Sequence, residues 1–296
     1  MEDRVAGADP LAPTASMTVQ ERSRRFRIRL LSLLAACFVA GAGCSVGARP
    51  AGAIPAPIVE GPVRVQRPGV VYREHRVAGL RVYEVVIGRV DFDSELPLVV
   101  QIHGRGDRAR VPQGYFGGVT TPIRLILPEA PDPFRDGYTW SPVSVTQGRH
   151  RELSDALREN ANRIAYVMRY FRGIRAVRGE PIVTGFSQGG MLAFTLAVLH
   201  PDDVGVSFPV AGWLPPQLMP RHVEDPESFP AIHAIHGTVD PVVKLGPTRR
   251  TVRRLHALGI DCDLREVEGV RHAVTPEVRA TLSALLREAI AALGDA

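Results

Sequence analysis

Ser187 stands in the run Gly185-Phe186-Ser187-Gln188-Gly189-Gly190, directly after the apolar stretch 181–184 and directly before a helical stretch. A serine hydroxyl is a weak nucleophile unless a neighbouring base takes its proton. Gly-x-Ser-x-Gly between strand and helix forces a sharp turn that lifts the hydroxyl above the strand's carboxyl end, and the flanking glycines remove the Cβ atoms that would collide there. A chance Gly-Ser-Gly turn would lack that strand and that helix. The partners of such a serine follow in the order acid, then histidine. Asp240 lies in His236-Gly237-Thr238-Val239-Asp240-Pro241-Val242, after the apolar stretch 231–235, and His272 follows the stretch 263–267 by way of Gly269. The intervals of 53 and 32 residues each hold one strand-helix-strand step. His272 would then take the Ser187 proton and return it to a leaving group, with Asp240 fixing the imidazole tautomer and stabilising the imidazolium. Asp202, Asp203 and Asp225 are rival acids, but they leave the strand ends less favourably and read as turn caps.

Acyl transfer also needs two fixed N–H donors for the oxyanion, each worth roughly 3 to 4 kcal/mol in the transition state. The backbone N–H of Gln188, just after the nucleophile, is one. The second is assigned to the Arg105 N–H in His103-Gly104-Arg105-Gly106-Asp107, which follows the apolar run Leu98–Ile102. His103 reads as a brace beneath that loop. Trp140, Phe186, Met191, Trp213 and Leu214 are candidates for an apolar substrate wall, though each also suits core packing. The short interval from Ser187 to Asp240 leaves no room for a large lid domain, so an open, shallow pocket for small or flexible acyl esters is expected.

The elements that must place these side chains are legible from residue 63 onward. Val70–Val77 and Leu80–Ile87 flank Ala78-Gly79 and predict an opening antiparallel hairpin. Apolar runs without alternation follow at 98–102, 123–127, 181–184, 204–210, 231–235 and 263–267, as a sheet covered on both faces requires. Helical stretches are read at about 152–171, 188–199, 248–258 and 276–293. The order predicts an α/β fold with a mostly parallel, doubly wound sheet and an antiparallel start, its ligand sites at the strands' carboxyl ends.

Taken together, His103-Gly104-x-Gly106-Asp107, the Ser187 run, His236-Gly237-x-x-Asp240-x-Val242-Val243 and a late Gly-x-x-His resemble the phospholipase/carboxylesterase family. These are small α/β hydrolases that include acyl-protein thioesterase-like enzymes. The resemblance runs from about residue 96 to the C-terminus, and the segments 127–131 with Trp140, and 211–215, look like the family's substrate-side loops. It implies a serine carboxylesterase of the α/β-hydrolase fold without a cofactor. Arg105 departs from the pattern, since an apolar residue is usual after His-Gly, and it sets a charge at the acyl entrance. The early hairpin and the N-terminal segment are similar to secreted polyhydroxybutyrate depolymerase or feruloyl esterase relatives, the alternative reading of substrate. An inactive envelope binding protein on the same fold is a third reading, set against the presence of all three of Ser187, Asp240 and His272. A peptidase would usually bring a further domain.

Composition narrows the rest. The 296 residues are 45% hydrophobic and 23% charged, which excludes disorder, collagen and coiled coil. The net charge is +5, but six of the 36 basic and four of the 31 acidic residues fall within 1–43, leaving a body at +3 that does not read as a nucleic-acid binder. Cys37, Cys44 and Cys262 form neither a Cys-x-x-Cys pair nor an even set, so no metal site or disulfide framework is expected. Five arginines within 22–29, followed by the apolar run 30–42, predict an export signal over residues 1–43, with Met17 as an alternative start. The run of thirteen is too short to span a bilayer, which takes about 20 residues. Ala40-Gly41-Ala42 fits a signal-peptidase site, while Ala42-Gly43-Cys44 resembles a lipobox that would anchor the protein by a lipid on Cys44; Arg24-Arg25 matches a twin-arginine signal less well. Residues 44–62, rich in Gly, Ala and Pro, read as a tether, and 63–296 as the catalytic domain. Export to the envelope or the medium follows, with oligomeric state left open.

Overall fold

The structure, a computed structural model, describes residues 59–111, 114–116 and 118–294. The expected signal, the Met17 start and Cys44 lie outside the described residues. The chain runs β1 (Val59–Glu60), β2 (Arg64–Arg67), β3 (Val70–Val77), β4 (Leu80–Ile87), β5 (Leu98–Ile102), β6 (Ile123–Pro128), β7 (Asp132–Phe134), β8 (Gly137–Thr139), α1 (His150–Ile174), β9 (Ile182–Phe186), α2 (Gln188–Leu199), β10 (Val206–Val210), β11 (Ala231–Gly237), α3 (Leu245–Ala257), β12 (Cys262–Val267) and α4 (Pro276–Gly294). One sheet has the order β1-β3-β4-β6-β5-β9-β10-β11-β12, with β2 also paired to β3, and β7–β8 form a separate hairpin. Pairing is antiparallel from β1 through β4 to β6 and parallel from β6 to β12. The antiparallel start and parallel body read from the sequence are both present.

Why these strands stand at the centre follows from their composition. Every residue of β5 and β6 is buried. Leu98, Val100 and Ile102 face one core shared with α1 and α2, while Val99 faces a second core shared with α4. A run without polar alternation can therefore satisfy both faces at once. Helix α1 instead carries a single apolar stripe, buried at Leu153, Leu157, Ala161, Ile164, Met168 and Phe171, at the spacing of one helical face. Helix α2 is buried all round from Gln188 to Val198, which its glycines, alanines and leucines permit.

The sheet begins inside the stretch assigned to the tether. Val59 and Glu60 pair with Arg76 and His75, the Gly61 N–H donates to the Glu74 carbonyl at 2.7 Å, and the Tyr170 hydroxyl donates to Glu60 at 2.8 Å. The sheet therefore includes residues 59–60, ahead of the expected boundary at 63. At the hairpin, Ala78 and Gly79 both have positive φ, 53° and 76°, the turn geometry that matches strand twist.

Candidate active site

Because β5, β9, β10, β11 and β12 are parallel, the loops that leave them gather along one edge of the sheet. Ser187 follows β9 with φ 57° and ψ −115°, a backbone region that L residues seldom occupy. Its N–H donates to the Val210 carbonyl and its carbonyl accepts from the Met191 N–H, both at 2.9 Å, so the turn is pinned on two sides. Close packing explains the glycines. A Cβ on Gly189 would stand 2.1 Å from the Ile102 carbonyl oxygen, and one on Gly185 2.4 Å from that of Gly189. Although Ser187 occupies the N-cap position of α2, its side chain makes no capping bond. The hydroxyl is turned outward.

It meets His272, whose Nε2 lies 2.9 Å from Ser187 Oγ, while Nδ1 lies 2.7 Å from Asp240 Oδ2. Asp240 Oδ1 accepts from the N–H groups of Val242 and Val243 at 2.8 and 2.9 Å. Burial pushes the Asp240 carboxyl up, but hydrogen bonds from His236, His272 and the Val242 N–H outweigh it and hold the group below the usual carboxylate range. The two loops carrying Asp240 and His272 are laced together by backbone: Thr238 N–H to Val267 O at 3.0 Å and Val239 N–H to Val270 O at 3.1 Å. A Cβ on Gly237 would come within 2.3 Å of the Val270 oxygen, so this approach requires glycine.

The turn after β5 lies close to Ser187. A Cβ on Gly104 would be 3.5 Å from Ser187 Cβ. Beyond it, the Gly106 N–H donates to Tyr138 O at 2.7 Å and the Asp107 N–H to Gly104 O at 3.3 Å. Among the described residues no acceptor meets the intervening Arg105 N–H, and the Gln188 N–H opens α2 as one of the unpaired donors of a helix start. Beneath the turn, His103 is buried. Its Nδ1 lies 2.7 Å from Gly104 O, Nε2 accepts the Ala130 N–H at 3.0 Å, and its carbonyl accepts Trp140 Nε1 at 2.9 Å. Burial lowers the pKa of His103. These contacts fit a brace.

The expected substrate wall does not hold as a unit. Trp140 and Met191 are 0% exposed, the first tilted against the His103 ring at 5.2 Å between centroids and the second in the core behind the serine. Neither presents surface to a ligand. Trp213 and Leu214 line a cavity of about 380 Å³ with Met219, Thr251 and Arg254, and none of Ser187, Asp240 and His272 borders it. Phe186 alone stays beside the relay, 4.8 Å from the His272 ring. Of the rival acids, Asp203 pairs with Arg169 at 2.5 Å and Asp225 accepts the Glu227 N–H at 3.2 Å, away from the serine relay.

Two contributions were not read from sequence. His236 sits behind Asp240, with Nε2 2.7 Å from Val243 O and 3.5 Å from Asp240 Oδ2; its Nδ1 is 3.0 Å from the Thr248 hydroxyl, which donates to Gly212 O at 2.7 Å. The spacing His-Gly-x-x-Asp was the available signal. The Gln188 side chain also works, since its Oε1 accepts the Trp140 N–H at 3.1 Å and ties α2 to the end of β8.

With this geometry established, the sequence pattern of the phospholipase/carboxylesterase family matches residues 90–289, about two thirds of the chain and all of the loops just described. The chain belongs to the phospholipase/carboxylesterase family. Among known proteins, a probable carboxylesterase SOBER1-like of Arabidopsis thaliana is 24% identical over 149 residues, covering 49% of this chain and 56% of the relative. A probable carboxylesterase of Oryza sativa subsp. japonica is 29% identical over 97 residues, covering 32% and 36%. The chain thus spans about half the length, or less, of these curated relatives. Among solved structures, esterase PE8 superposes with a TM-score of 0.56 at 22% identity, over 66% of this chain and 93% of that one. Zea mays acyl-protein thioesterase 2 gives 0.56 at 19%, over 71% and 98%. At these identities the likeness establishes the α/β-hydrolase fold of the family.

Proposed function

We propose that this chain is a serine hydrolase of carboxylic esters that works through an acyl-enzyme on Ser187. The observation that carries this reading is the unbroken relay Ser187–His272–Asp240 on a constrained turn, beside two backbone N–H groups free to bind an oxyanion. Ser187 Oγ attacks the carbonyl as its proton passes to His272 Nε2, while Asp240 stabilises the imidazolium through Nδ1–H. The N–H groups of Gln188 and Arg105 receive the negative oxygen of the tetrahedral intermediate. His272 then gives its proton to the leaving alcohol, and a water activated by the same nitrogen releases the acid. The chemistry calls for no metal or cofactor. Small or flexible esters and thioesters suit a site over which no large lid folds among the described residues, and the names of the relatives point the same way.

The test offers the full chain 4-nitrophenyl esters of increasing acyl length. A burst of one equivalent of 4-nitrophenol, lost in Ser187→Ala, is the expected result; no turnover, or equal rates for variant and parent, overturns the reading. The N-terminal segment supports export of the protein, and a mature protein found by N-terminal sequencing to begin at Met1 would remove that part.

A further inference from the structure

The turn that offers the Arg105 N–H also carries its side chain, which the acyl-transfer steps leave unused. The Arg105 guanidinium lies over the Phe134 ring, Cζ 4.0 Å from the centroid, and Arg135 approaches the same ring at 5.3 Å. Two like charges are gathered on one aromatic side chain. Among the described residues neither has a carboxylate partner, and Arg105 Nε is buried without an acceptor. The nearby Asp107 is already taken, by Arg110 at 3.0 Å and by the Arg108 N–H at 2.9 Å. Burial, followed by the charge of Arg135, lowers the pKa of Arg105, a penalty that a bound anion would relieve.

Backbone fixes where this pair stands. Arg135 occupies the β7–β8 turn with φ 53°, and the hairpin is joined to the oxyanion turn by Gly106 N–H to Tyr138 O at 2.7 Å and Tyr138 N–H to Asp107 O at 2.9 Å. A Cβ on Gly137 would lie 2.4 Å from Asp107 O, so hairpin and turn are in close contact. Arg105 is the residue after Gly104, a position whose Cβ, if present, would contact Ser187 Cβ at 3.5 Å. Its side chain therefore starts about 3.8 Å along the chain from that contact.

We propose that Arg105 and Arg135, held against Phe134, form an anion subsite that selects esters bearing a carboxylate or phosphate several bonds from the scissile carbonyl. This rests on the serine hydrolase reading. A guanidinium fork matches either anion with paired hydrogen bonds, and partial removal from water strengthens them. The aromatic ring holds the forks in place while leaving their edges for a ligand.

Two ester pairs test the proposal and separate the sources of charge: 4-nitrophenyl hemiglutarate against 4-nitrophenyl pentanoate, and 2-(butyryloxy)ethyl phosphate against ethyl butyrate. We expect kcat/KM for the charged member to exceed the neutral one about tenfold in at least one pair. That ratio should fall towards one in Arg105→Met and in the exposed-site variant Arg135→Gln, and shrink in 0.5 M salt. Ratios near one in both pairs, or unchanged ratios in both variants while turnover still depends on Ser187, overturn the subsite and leave the hydrolase standing. If no ester is turned over, the hydrolase reading falls, and calorimetric titration of Ser187→Ala with glutarate and with inorganic phosphate decides the subsite. Binding lost on adding Arg105→Met supports it; no binding refutes it.

Discussion

A serine at a helix start ordinarily spends its hydroxyl on the helix's own free N–H groups. Ser187 does not, because its positive φ swings the side chain out of that arc and towards His272. The acid is tuned by the same economy of contacts, and Asp240→Asn, which keeps the shape but favours the wrong histidine tautomer, should lower kcat about 10⁴-fold and also lower the thermal midpoint, since the fold stabilises the ionised carboxylate. Activity on 4-nitrophenyl butyrate, read beside a melting curve, checks both halves. Behind the acid, Thr248→Val would strip the Gly212 carbonyl and His236 Nδ1 of a buried partner and destabilise the fold by about 1 to 3 kcal/mol, measured as a shift in urea midpoint. Ser187, Asp240 and His272, to which the proposal gives the bond chemistry, were legible because a Gly-x-Ser-x-Gly turn, an acid and a histidine each follow a strand in a fixed order. Trp140 and Met191 were misplaced for an equally physical reason. A large apolar side chain looks the same in a sequence whether it faces a ligand or the core, and only burial separates the two.

Elements were legible where packing is two-sided and obscure where it is not. The run at β5 needs no polar alternation, so its bounds emerge intact, whereas β2 is exposed at all four positions and β7 contains Pro133. Nothing in such short polar strings marks a strand until a neighbour supplies hydrogen bonds. Strand β9 runs on to Phe186, beyond the apolar stretch 181–184, because β10 pairs with it as far as Val210. The elbow then follows without slack. Gly189→Ala would drive a Cβ into the Ile102 carbonyl and should abolish soluble, active protein, since backbone on both sides would have to move. Gly173→Ala, in α1 with open space around the new methyl, should instead raise stability by about 0.5 to 1 kcal/mol. Soluble yield and activity of the first variant, set beside a denaturation curve of the second, test whether glycine at the elbow is a requirement of contact or of helix propensity.

Across the whole molecule, the antiparallel end of the sheet is held by charge as well as by apolar packing. Glu84 on β4 is buried and meets His75 at 2.8 Å, Arg175 at 2.7 Å and the guanidinium of Arg124. Burial would raise its pKa, but bonds from His75 and Arg175 and the charge of Arg124 bring it down to about 2. A depressed carboxyl stabilises the fold fully above its ordinary value of 4.5, and that stability is lost as pH falls towards 2, a loss of about 3 kcal/mol. Urea midpoints followed from pH 6 to pH 2 should show it, with a shallower slope in Glu84→Gln. The opposite end of the sheet is built differently. His272 hangs from the loop after β12, the terminal strand, most of whose residues are only partly covered or exposed. His272, the proposed proton carrier, is thus tied to a strand that among the described residues has a neighbour on one side alone, while Ser187 is tied to the buried strand β9 and helix α2. Edge strands open before central ones. Mild denaturant should therefore silence the protein while its helices and central strands are still intact, and dilution should restore it without refolding of the whole chain.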